Sequence, residues 1–304
     1  MNKKNLIPII ILALLIIVFV ITKLNDKTER RINFFRFDST QVYAIEIATQ
    51  EDTLKLTKID NNWMIDYPLN YPPAKLKIDD IFKKVLQVET SSIPITETSF
   101  EKFNVTDSLG TLLVFYDKNG KILEEVLIGK SENYNYSYAR RKDDAKVYQL
   151  FTNISYSINP KVSSWRKKEI IEISEEDISR VFVSYDGANY SFSATDSLWM
   201  YQDDETGFSI KEANSSFKSI ISAIKKFIVT DFIDNEFEKY QQKFENPDVE
   251  VTVELFNDEP FNLKFIEHEE KKFVLQKNDE TEHLYIIYES WVNRFKKSDE
   301  DFSK

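Results

Sequence analysis

Apolar and polar residues alternate in short runs along much of the chain. Ile45 and Ile47 flank Glu46 in VYAIEIATQ, and Leu54 and Leu56 flank Lys55 in TLKLTKID. A period of two marks a strand with one buried face. NWMIDY, residues 62–67, continues the meander, and IDNNW between the runs is turn chemistry. The period then changes. Ile78, Ile81, Phe82, Val85 and Leu86 fall at i, i+3, i+4, i+7 and i+8, one stripe of a helix. Pro72 and Pro73 keep the chain extended just before it. Asp79 and Asp80 are expected in its first turn, where the helix dipole favours acids. Four more strands follow in TLLVFYD, ILEEVLIG, SYARRK and KVYQLF, the first two joined by YDKNGK, whose Asn-Gly is a hairpin signal.

The same pattern then recurs. Trp199-Met200 repeats Trp63-Met64 at an offset of 136. At that offset Phe37 meets Ile173, Val42 meets Ile178, Ile45 meets Val181, Ile47 meets Val183, Leu54 meets Tyr190 and Leu56 meets Phe192. Three extra residues follow Trp199, and at an offset of 139 Ala74 meets Ala213, Ile78 meets Phe217, Phe82 meets Ile221 and Val88 meets Phe227. FEKF at 100–103 answers FEKY at 237–240. A repeat of this length points to two tandem copies of one unit. Trp63 closes the first meander, and its large area and single donor suit a lid between helix and sheet. An exposed, ligand-stacking tryptophan is the functional alternative, which recurrence in both units disfavours.

Leu6–Thr22 is an uninterrupted run without a charge, flanked by Lys3, Lys4 and Lys23. As a helix it would reach roughly 26 Å, near the low end for a bilayer core. It is longer than the apolar region of a cleaved signal peptide, and VITKLND offers no small-residue cleavage site. The run therefore reads as an anchor. Lys3 and Lys4 argue for an N-terminus in the cytoplasm, and Lys23, Lys27, Arg30 and Arg31 argue the reverse. Long downstream domains translocate largely regardless of charge, so the bulk of the chain is expected outside the cytoplasm. The resulting expectation is an α+β fold: an N-terminal transmembrane helix, then two repeats, each an antiparallel sheet packed with one or two helices. Residues 1–33 form the tail and anchor, 34–168 the first unit and 169–304 the second.

Composition narrows the function. Net charge is −11, and for the chain beyond Ile32 it is −15. Such a chain repels nucleic acid, whose affinity comes from neutralised phosphates. There is no cysteine, which removes disulfides, thiolate metal sites, a cysteine nucleophile and a lipid anchor on cysteine. Glycine is scarce, so few loops can bring backbone close to a ligand.

Candidate chemistry is thin. Gly129-Lys130-Ser131 resembles the end of a phosphate loop, but the position five before that glycine is Glu124, and NYNYSYARR after it reads as strand. HEEKK at His268 has Lys272 where a zinc helix needs its second histidine. His283 is the other histidine, and both are expected to be solvated. Neither histidine lies near a Gly-x-Ser-x-Gly elbow. Carboxylate pairs could do acid–base work, but 51 acids make any one pair uninformative. EISEEDIS at 172–179 lacks calcium-loop spacing. Two basic clusters, Arg140-Arg141-Lys142 and Arg166-Lys167-Lys168, read as solvated turns, with docking as the functional alternative. Trp165 is expected to pack at the joint between units. No catalytic, cofactor-binding or metal residue is assigned, and no cofactor is expected.

Trp63, Pro68, Ala74, the stripe Ile78–Val88, Phe103, VLIG at 126–129 and VYQL at 147–150 together resemble the bacterial domain-of-unknown-function family numbered 4340. The likeness runs from about residue 35, and the second unit departs from it: no proline follows Trp199, and LKFIEH stands for the Leu-x-Ile-Gly strand. These are packing motifs, so they speak of fold and not of chemistry. The resemblance implies an inner-membrane, extracytoplasmic protein, similar to accessory subunits of ABC-type export systems of the gliding-motility kind. The expected role is non-catalytic, through protein partners that include an ABC permease. A carboxylate-based envelope hydrolase is the alternative. So is a polymer-binding module using the aromatics of NYNYSY, 133–138.

Overall fold

Ile45 and Ile47 are fully buried, and so are Leu56 and Leu54, which they face across an antiparallel pair. The computed structural model describes residues 12–18, 29–129, 135–195, 198–211 and 213–303. It divides into two units, Met1–Arg166 and Lys167–Lys304.

The first unit is built on nine strands: β1 (Arg31–Asn33), β2 (Ala44–Ala48), β3 (Thr53–Ile59), β4 (Asn62–Tyr67), β5 (Glu89–Ser91), β6 (Thr111–Tyr116), β7 (Ile122–Gly129), β8 (Ser137–Arg141) and β9 (Val147–Leu150). They form one sheet in the order β1-β5-β9-β8-β7-β6-β2-β3-β4. Asp60 and Asn61 take positive φ, 47° and 70°, and turn β3 tightly into β4. Gly120, at φ 79°, does the same between β6 and β7. Helix α1 (Lys75–Asp80) follows β4 and widens into a π-type turn, Ile81–Val85, where the Leu86 N–H reaches back 2.9 Å to the Ile81 carbonyl. Ile81, Val85 and Leu86 enter the core, with Ile78 and Phe82 packed at its margin. Asp79 and Asp80 are not in the first turn. They close the α-helical segment and pair one turn on with Lys83 and Lys84, at 2.8 and 2.7 Å. The other face of the sheet is partly covered by the turn Phe100–Phe103, whose aromatic rings pack with Val105, Leu127 and Val147.

The second unit contains β10 (Glu169–Glu172), β11 (Ile178–Tyr185), β12 (Ala188–Ala194), β13 (Trp199–Asp203), β14 (Gly207–Ser209), β15 (Lys226–Ile228), β16 (Asp231–Asp234), β17 (Val249–Leu255), β18 (Phe261–Glu269), β19 (Lys272–Lys277) and β20 (His283–Tyr288). Its main sheet runs β14-β13-β12-β11-β17-β18-β19-β20-β16, and β10 pairs with β15. Helix α2 (Ser215–Lys225) buries Phe217, Ile220, Ile221 and Ile224 against one face. Helix α3 (Phe237–Phe244) sets Tyr240 and Phe244 on the other, over Ile266, Val274, Leu284 and Ile286. Alternation explains the two cores: Phe265 and Ile266, neighbours in β18, serve opposite faces. Helix α4 (Glu289–Val292) follows β20.

Seven strands follow one order in both sheets, β4-β3-β2-β6-β7-β8-β9 and β13-β12-β11-β17-β18-β19-β20. Ile45 pairs with Leu56, and their counterparts at the offset of 136, Val181 and Phe192, pair in the same way. The segment after Trp199, three residues longer, pairs as strand β14, where the first unit makes the single bridge Ile65–Tyr71.

The expected fold class needs correction. About 41% of the described residues lie in strands and 21% in helices, so antiparallel sheet dominates and the helices are short additions to it. The expected N-terminal transmembrane helix is not supported. Residues 12–18 are helical. The rest of the Leu6–Thr22 run lies outside the described residues. Among the described residues no helix is long and apolar enough to cross a membrane.

Candidate docking groove

Asn214 caps α2. Its carbonyl oxygen accepts the Phe217 N–H at 2.9 Å. Its amide donates to the carbonyls of Asp301 and Phe302, at 3.0 and 3.2 Å. One buried side chain thus fixes both the helix start and the C-terminal segment. Trp199 opens β13, and the Ile210 N–H donates to its carbonyl at 2.8 Å. Thr195 and Leu198 bond each other through hydroxyl and backbone, holding the turn ahead of Trp199.

These elements enclose a groove of 720 Å³. Its apolar floor is Leu198, Trp199, Ile210, Phe217 and Ile221. The Trp199 and Phe217 rings lie 5.3 Å apart, inclined at 55°. Leu198 is 42% exposed. Lys211, Lys218 and Lys225 line the groove, with Glu175 as the one carboxylate among the described residues of its lining. Lys225 pairs with Glu175 at 3.2 Å. Lys211 and Lys218 are exposed, and among the described residues neither forms an ion pair. The groove therefore carries a net positive rim on an acidic chain.

The basic clusters singled out from sequence are spent on structure. Arg140 donates to the Val105 carbonyl at 3.0 Å and lies over the Phe100 ring. Arg141 pairs with Glu124 and donates to the Phe34 carbonyl. Lys277 makes the matching bond in the second unit, to the Ile170 carbonyl at 2.9 Å. Burial holds its ammonium below the usual lysine range. Arg166 is 2% exposed and covers Tyr71, and Lys168 donates to the Thr230 carbonyl at 2.6 Å. Arg140, Arg141 and Arg166 are not the solvated turn residues that composition suggested, whereas Lys142 is exposed in the turn after β8, 3.0 Å from Glu125. Trp165 is fully buried in the core of the first unit.

The histidines are also more sheltered than expected. His283 meets Asp234 at 3.0 Å, and His268 lies 3.5 Å from the Tyr240 hydroxyl and 3.6 Å from Glu269. Lys130 and Ser131 lie outside the described residues. Gly129 ends β7 beneath the Phe103 carbonyl, which leaves no room for a side chain. A packing demand accounts for that glycine. Of NYNYSY, Tyr136 and Tyr138 are described, and Tyr138 packs on Phe103 with ring centroids 4.8 Å apart. A smaller hollow of 350 Å³ is lined by Thr49, Glu51, Asp52, Asn153 and Tyr156 among others. Its two acids are neighbours in the β2–β3 turn.

The family model described as a domain of unknown function, DUF4340, matches residues 63–247. The chain belongs to that family. The DUF4340 match begins at Trp63 and runs through the groove into the turn after α3, so both units contribute to it. No curated protein and no solved structure matches the chain. Sequence reasoning missed the groove, although a signal was present: Lys211, Lys218 and Lys225 recur at intervals of seven, and the last two lie two turns apart on one face of α2.

Proposed function

We propose that this DUF4340 protein is a non-catalytic binding component of an envelope transport assembly of the ABC type, with its two folded units outside the cytoplasm. The observation that carries the reading is the groove at Trp199. It offers an aromatic floor and uncompensated lysines at a surface, while the basic clusters of the chain are tied to backbone carbonyls and carboxylates. Such a surface suits recognition through contact, because an apolar anchor supplies affinity and a charged rim supplies selectivity. Family resemblance to accessory subunits of gliding-motility-like export systems points the same way.

The test is purification of the tagged chain from native membranes in a gentle detergent. Co-purification of an ABC permease at a fixed ratio is the expected outcome. A lone monomer that cleaves envelope glycans overturns the proposal.

A further inference from the structure

We propose that the groove between α2 and β13 receives an extended acidic segment of a partner protein, an apolar side chain seated on Trp199 and carboxylates held by the lysine rim. The inference deepens the binding role proposed above, and it rests on that reading for its partner.

Size is the first argument. The groove volume of 720 Å³ lies within the range that holds a ligand of several residues or a drug-sized molecule. The apolar surface open to the groove is that of Leu198 and the half-buried Trp199, with Phe217 and Ile221 buried beneath them. The rim then sets the charge. Lys218 and Lys225 are seven residues apart on α2, which separates their backbone positions by about 10 Å. Lys211 approaches from the segment after β14. A single carboxylate or phosphate satisfies one of the two unpaired lysines and leaves the other without an anion. An occupant that uses the whole rim carries several negative groups, one of them displacing Glu175 from Lys225 at about 10 Å from the Lys218 position, with an apolar group between them. Three residues of extended chain cover that distance at about 3.3 Å each.

The first unit carries other residues at the corresponding positions. At the offset of 139, Lys218 is replaced by Asp79, Lys225 by Leu86, Lys211 by Pro72 and Ile221 by Phe82. Phe82 lies against Trp63, as Phe217 lies against Trp199. Asp79 is satisfied locally by Lys83. The second unit has a smaller residue at the Phe82 position and cations at three others. The substitutions together place lysines beside Trp199 at positions where the first unit has proline, aspartate and leucine.

The full-length protein, purified in detergent, is titrated with a fluorescein-labelled peptide of sequence Glu-Glu-Leu-Phe-Leu-Glu-Glu, and with the same peptide carrying Gln for every Glu. The acidic peptide is expected to bind, with at least tenfold loss for the Gln peptide and for Lys218→Glu. Lys118→Glu, an exposed charge reversal in the β6–β7 turn, leaves affinity unchanged. Binding weakens as salt rises, as for any partly exposed charge pairing. Equal binding to the wild type and Lys218→Glu overturns the proposal, and so does absence of binding. Vesicles of phosphatidylglycerol are offered in parallel. Lys218-dependent capture by vesicles without capture of the peptide assigns the groove to a lipid surface and also overturns it. Because the titration needs no other component, its failure is separable from failure of the co-purification: a permease retained by Lys218→Glu leaves the accessory role standing without this groove.

Discussion

The indole of Trp63 lies against the ring of Phe82, centroids 5.9 Å apart and inclined at 49°. Trp199, its counterpart in the second unit, meets Phe217 instead. Phe217 corresponds to Ile78, one helical turn before Phe82. The two tryptophans thus find an aromatic partner from different turns of the helix, and Trp199 lines the groove. Phe82→Ala removes that partner in the first unit. It is expected to cost about 2 kcal/mol, below the full value for a buried phenylalanine because Phe82 is half-buried. Urea unfolding reports the cost, and a red shift of tryptophan emission reports the newly wetted indole.

Gly129→Ala places a methyl group against the Phe103 carbonyl. That obstacle is backbone and cannot rotate away. Loss of several kcal/mol is expected, in the range for severe overpacking. Thermal unfolding of Gly129→Ala beside Gly207→Ala, whose methyl would meet its nearest neighbour at an ordinary 3.7 Å, separates the packing cost from any general effect of losing glycine.

Asn214→Ala removes the α2 cap and the two bonds to the C-terminal segment together. A cap alone is worth about 1 kcal/mol. The stranded carbonyls of Asp301 and Phe302 raise the expected cost to about 2–3 kcal/mol. Asn214→Asp keeps the cap acceptor and loses the donors, so its intermediate stability in urea would divide the two roles.

Burial pushes the Tyr116 hydroxyl up to about 12, helped by its bond to Glu46 at 3.0 Å. A raised folded value means that the unfolded chain ionises first. The associated stability is complete below about pH 10 and drains away as pH rises toward 12. Burial likewise raises Tyr190, whose hydroxyl donates to the Phe295 carbonyl. Melting temperature should therefore fall between pH 9.5 and 11.5, and Tyr116→Phe should flatten the fall. An unchanged slope in that variant would refute the assignment.

Much of the strand pattern was legible in the chain. Ile45, Ile47, Leu54 and Leu56 alternate because a half-buried strand demands it, and all four are inside. The stripe through Ile81 and Val85 became a helix side, although it closes as a π-type turn that periodicity does not reveal. Cation roles were not legible. Arg140, Arg141 and Arg166 look like any charged run, and their fate depends on carbonyls and rings brought near by distant strands. The groove escaped for the same reason: its walls come from Glu175, Leu198, Lys211 and α2, which adjoin only after folding.

By itself the sequence determined the local elements: period two for strands, period 3.6 for helices, Asp-Asn and Asn-Gly for tight turns, and the offset at which the pattern returns. Those depend on backbone geometry and neighbouring residues. Tertiary structure alone decided which turn of the helix supplies each tryptophan's aromatic partner, which cations are consumed and which remain exposed. Such outcomes depend on which surfaces meet, and burial and pairing across long separations are properties of the folded chain.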